Sequence, residues 1–77
     1  MQFGYVLCSP EGGKILCLTE DKKGVRLVPV ETTSDLNRSM CLSDLTEIKN
    51  VYQRLKDSGL VGYLEIVNIA RLYKRFF

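Results

Sequence analysis

The sequence predicts an α+β fold: a small β-β-β-α-β domain with an antiparallel sheet and one amphipathic helix packed on one face. Three observations lead there. Short β-branched and aromatic runs alternate with turn-forming clusters over residues 3–30, one stretch after Ser43 carries apolar residues at helical spacing, and a second β-branched run lies near the C-terminus. Seventy-seven residues support one domain, residues 1–77, and too little chain remains for a second core. With 45% hydrophobic and 26% charged residues, the composition is that of a folded globular chain rather than a disordered, collagenous or membrane-spanning one.

The first two strands are expected at Phe3 to Cys8 and Lys14 to Thr19, joined by the turn formers Ser9-Pro10-Glu11-Gly12-Gly13. If Gly12 and Gly13 take the central positions of a type I′ turn, Glu11 faces Lys14 and Cys8 faces Cys17. Pro10, which has no N–H to give to a ladder, argues instead for a wider loop, and both registers stay open. After the polar break Glu20 to Gly24, Val25 to Val30 reads as a third strand. Pro29 pushes it toward the sheet edge or marks its end. Glu31 to Cys41 is polar and aperiodic, a loop with room for one helical turn at Ser34 to Arg38.

A helix is expected to start at Ser43 or Asp44. Asp44 and Glu47 have the spacing of an acidic capping box, Leu45, Ile48, Val51, Tyr52 and Leu55 form the apolar stripe, and Gly59 stands where a left-handed C-terminal cap belongs. The final segment, residues 63–77, fits both periods. As a strand it sets Leu64, Ile66, Asn68, Ala70 and Leu72 against Tyr63, Glu65, Val67, Ile69, Arg71 and Tyr73; as a helix it aligns Ile66, Ile69, Ala70, Tyr73 and Phe77. A strand through at least Arg71 is favoured, because Leu-Glu-Ile-Val-Asn-Ile is rich in β-branched residues and a single helix needs a sheet of more than three strands to cover.

Composition also restricts chemistry. No His is present, so Ser–His and Cys–His nucleophile pairs are excluded within the chain. Glu11-Gly12-Gly13-Lys14 superficially resembles a phosphate loop but lacks the Walker spacing and is followed by a strand. Cys8, Cys17 and Cys41 match no zinc spacing, and Cys41 near the helix start has no base beside it, so all three are expected to be small structural side chains. No enzyme, cofactor or metal is expected. An odd Cys count without an export-type N-terminus leads us to expect a reduced, cytoplasmic protein. No apolar run approaches the roughly 18 residues of a membrane span, so no membrane partner is expected.

Two-sided hydrophobicity in the first hairpin points to a partner. Val6, Cys8, Ile15 and Cys17 share one face, and Tyr5, Leu7, Leu16 and Leu18 the other, whereas a sheet with one solvated face alternates apolar with polar. One helix covers one face, so Tyr5, Leu7, Leu16, Leu18, Val67, Ile69 and Tyr73 are expected to form an exposed partner-binding surface. The expected function is a non-enzymatic protein-interaction module: a homodimer, or a small inhibitor or adaptor that occludes a larger protein, as small phage- or mobile-element-encoded antagonists do. The alternative is a nucleic-acid-binding accessory protein using Lys22, Lys23 and Arg26 with Arg71, Lys74 and Arg75, the latter interleaved with Tyr73, Phe76 and Phe77. A net charge of only +2, from 11 basic and 9 acidic residues, provides little general attraction for a polyanion.

Overall fold

In a computed structural model of the protein, which describes residues 2–11 and 13–76, the elements follow in the order β1 (Tyr5–Glu11), β2 (Lys14–Asp21), β3 (Gly24–Val30), α1 (Thr33–Asn37), α2 (Leu45–Asp57), β4 (Glu65–Asn68) and α3 (Ile69–Tyr73). The strands form one sheet in the order β3-β2-β1-β4, with every neighbouring pair antiparallel. This is the expected α+β architecture. Pro29 lies in β3, an edge strand, where its missing N–H leaves no gap inside the sheet.

The register of the first hairpin is the tight one: Glu11 pairs with Lys14 and Cys8 with Cys17. Gly12, in the expected turn, lies outside the described residues; Gly13 has φ +78°. Pro10 is tolerated for a reason of parity. Tyr5 exchanges both backbone hydrogen bonds with Leu42, at 2.7 and 3.0 Å, on the side of β1 opposite β4. Odd-numbered residues of β1 therefore point their backbone groups toward β2, and even-numbered ones toward β4. Pro10 is even, and β4 pairs β1 only at Tyr5 to Cys8, so no acceptor waits for the N–H that Pro10 lacks.

Residues 40–42, expected to be an irregular loop, wedge between β1 and β2 where their ladder stops. Met40 N–H donates to the Leu18 carbonyl at 2.9 Å, and Leu42 takes the place of a strand residue beside Tyr5. Gly4 makes this possible. A Cβ there would stand 2.3 Å from the Leu42 carbonyl oxygen, and its φ of +127° disfavours any other residue.

Helix α2 starts and stops where expected. The Asp44 carboxylate accepts from Thr46 N–H at 2.8 Å, while Gly59 N–H reaches the Lys56 carbonyl and Leu60 N–H the Leu55 carbonyl, closing a Schellman motif on Gly59 at φ +77°. The reciprocal capping box is found instead on α1. There Asp35 N–H donates to the Thr32 hydroxyl at 3.1 Å and Thr32 N–H to the Asp35 carboxylate at 3.1 Å.

Two expectations need correction. The C-terminal strand does not run through Arg71; it ends at Asn68, and residues 69–73 are helical. The ladder runs out of partner, since Asn68 already pairs with Tyr5 at the start of β1 and Ile69 N–H takes the Gly4 carbonyl at 2.9 Å. The Asn68 side chain then accepts from Ala70 N–H at 3.0 Å and caps α3. Nor is the face away from α2 bare. There α1 contributes Leu36 and α3 contributes Ile69, Leu72 and Tyr73 to a core with Val6, Cys8, Cys17 and Val30. On the α2 face, Leu7, Leu18, Ile48 and Leu64 form a second core.

Candidate functional site

Alternation along β1 and β4 puts the seven residues expected to share one partner surface on both sides of the sheet. Tyr5, Leu7 and Leu18 belong to the α2-side core, and Leu16, two residues before Leu18 in β2, faces the same way; Val67, Ile69 and Tyr73 belong to the opposite core. Leu7, Leu18 and Ile69 are fully buried and Tyr73 is 2% exposed, whereas Tyr5, Leu16 and Val67 are half-buried. Four of the seven are thus interior side chains, not an exposed face.

Open apolar surface does exist on the α2 side, shifted toward β3. Helix α2 packs on β1, and Tyr52 ties it to the segment entering β4: its hydroxyl accepts from Leu64 N–H at 2.7 Å and donates to the Gly62 carbonyl at 3.5 Å. Pinned to that side, α2 leaves β2 and β3 partly uncovered. A groove of about 370 Å³ runs between α2 and β3, lined by Val25, Met40, Leu42, Val51 and Leu55, with Glu20 and Arg54 as its charged members. The apolar surface continues beyond Val25 along the sheet. Leu27 pairs with Leu18, Pro29 pairs with Leu16, and on this face Leu27 is 36% exposed, Pro29 exposed and Leu16 half-buried. The available signal was the alternation in β3, which sets Val25, Leu27 and Pro29 against Arg26, Val28 and Val30.

The basic residues do not gather into one stripe. Lys22 and Lys23 are exposed in the β2–β3 turn, and Arg26 beside them pairs with Asp21 at 2.8 Å. Arg71, Lys74 and Arg75 are exposed on and after α3, and Arg75 lines a depression with Gly13 and Lys14 at the other end of β2, about 23 Å away by strand rise. Of the aromatic rings among them, Tyr73 is buried and Phe76 half-buried. Tyr73 is in the core, with its hydroxyl donating to the Asn37 side chain and accepting from Gln2 N–H at 3.1 Å, and Phe76 packs against the same core. Phe77 lies outside the described residues.

Cys41 is half-buried, its thiol directed at the Phe3 carbonyl at 3.3 Å, and burial pushes its pKa up. Among the described residues, no three Cys, Asp or Glu side chains converge as a metal site, and no helix is long and apolar enough to cross a membrane. Comparison with protein-family models, curated proteins and solved structures gives no match.

Proposed function

We propose that this chain is a non-enzymatic protein-interaction module, a small inhibitor or adaptor that binds a larger protein through the α2–β3 groove and occludes the surface it covers. The observation that carries this reading is the set of apolar side chains Val25, Leu27, Pro29 and Leu16 that share one face of β3 and β2 beside the groove walls Met40, Leu42, Val51 and Leu55. A surface of this kind is stabilised by a partner that removes it from water. Its charged members define the partner's chemistry: an apolar segment bearing a base to meet Glu20 and an acid to meet Arg54.

The test is affinity capture from the native cell with wild-type chain, Leu27→Glu, Arg54→Glu and, on the outer side of α2, Lys49→Glu. Leu27→Glu places a charge in the interface while leaving a folded chain, unlike Leu18→Glu, which would bury a charge in the core. A protein retained by wild type and Lys49→Glu, resistant to raised salt, and lost or weakened with Leu27→Glu and Arg54→Glu supports the reading. Retention that ignores Leu27→Glu, a salt-sensitive nucleic acid lost on Arg71→Glu, or a self-dimer as the sole partner would contradict it.

A further inference from the structure

Two thiols face each other across the first hairpin. Cys8 and Cys17 are direct cross-strand partners. The parity fixed by Tyr5 makes theirs a non-hydrogen-bonded pair, the kind in which opposed side chains come closest, with Cα atoms about 4.5 Å apart. Their sulfurs lie 3.2 Å apart, and the residues are 3% and 0% exposed. A disulfide accepts Cα separations of roughly 4.4–6.8 Å and needs sulfurs about 2.05 Å apart, so a closing movement of roughly 1 Å through side-chain rotation suffices. Neither strand has to shift.

The surroundings distinguish the two sulfurs. The contact with Cys8, in which either sulfur can donate, holds Cys17 below the usual thiol range against the effect of burial, with help from Ser39, which is itself buried. The same contact, with burial added, pushes Cys8 well above that range. With Cys17 as the nucleophile Cys8 is its resolving partner, and exchanging the two roles gives the same product. Cys41, turned toward Phe3, stands outside it.

We propose that Cys8 and Cys17 form a redox-active dithiol that a peroxide closes to an intramolecular disulfide. The Cys17 thiolate attacks one peroxide oxygen, the O–O bond breaks, and Cys17 becomes a sulfenic acid as the departing hydroxide takes up a proton. The Cys8 sulfur then attacks the Cys17 sulfur, the S–O bond breaks, and the leaving hydroxide accepts the Cys8 proton. In sum, two thiols and one hydrogen peroxide give one disulfide and two waters, with the sulfurs losing two electrons. Burial of both sulfurs favours an oxidant of this size over a bulky disulfide.

The experiment treats the full chain with hydrogen peroxide, blocks remaining thiols by alkylation, and measures intact mass, peptide linkage and thermal unfolding. The expected product is a monomer lighter by two hydrogens before alkylation, linked Cys8 to Cys17 and alkylated only at Cys41. Its unfolding midpoint should rise by roughly 10 °C, because the bond restrains the unfolded chain, and a small dithiol should reverse the change. Cys41→Ser should behave like wild type, whereas Cys8→Ala and Cys17→Ala should form no intramolecular bond. The proposal is overturned if Cys8 and Cys17 stay fully alkylatable after peroxide, if Cys41 alone gains oxygen, or if the chains are joined through Cys41. Wild type and Cys41→Ser decide the matter even where the alanine variants do not fold.

Discussion

The two faces of the sheet are closed by different means. On one, two short helices each set their few apolar side chains into the sheet, and Tyr73 links them: its ring fills the core while its hydroxyl bonds to Asn37 at the end of α1. On the other, a single helix of 13 residues lies over β1 and stops short of β3. Two small covers leave a depression of about 380 Å³ between α1 and β3 whose lining includes Asp21, Arg26, Asp35 and Arg38, whereas the one long cover leaves a groove of similar size lined mainly by apolar side chains. The face closed by α1 and α3 holds the thiol pair, and the α2 face carries the apolar groove that we propose for recognition.

Substitutions on the face closed by α1 and α3 should produce the largest effects. Tyr73→Ala removes the largest fully buried side chain and its hydrogen bonds, and an aromatic-to-alanine change in a core costs about 3–5 kcal/mol. Denaturant unfolding should show this loss, which for a domain this small approaches complete unfolding. Asn68→Ala removes the cap that turns β4 into α3, and about 1 kcal/mol of stability should go with it. If that variant melts like wild type, the packing of α3 does not depend on the cap. The smallest effect is expected at Asp35, whose carboxylate is held below the usual range first by the Glu31 N–H, then by the Thr32 hydroxyl and N–H and by Arg38. A carboxyl lowered in the folded state contributes stability above its unfolded pKa near 4 and loses it as pH falls through the folded value. Asp35→Asn should therefore lower the melting midpoint at neutral pH, with the difference from wild type shrinking on acidification below about pH 4.

Much of this asymmetry was legible in the sequence, but not its location. Helix α2, its Asp44 and Gly59 ends and the third strand follow from local rules of spacing and turn chemistry, whereas the pairing of Cys8 with Cys17 was one of two registers left open and Pro29 fitted either a sheet edge or a strand end. Both periods seen in residues 63–77 were real, used one after the other: Ile66 and Val67 alternate across the sheet, then Ile69, Leu72 and Tyr73 turn inward. The switch at Asn68 depends on where β1 begins, a tertiary fact that periodicity within the segment does not carry. The position of the open surface had the same origin. Two-sided hydrophobicity marked the hairpin, yet which face stayed open was decided by Leu36 and Tyr73, supplied from segments whose short helices bury only one to three side chains each.

Recognition is proposed to occur on the side of the sheet that α2 leaves uncovered. The most direct measurement is methyl NMR of the chain, free and bound to the protein it captures. The predicted result is line broadening or shifts at Leu16, Val25, Leu27, Val51 and Leu55, with Val6, Leu36, Ile69 and Leu72 unchanged. Perturbation confined to residues around Arg71 and Arg75, with Val25 and Leu27 unaffected, would contradict it.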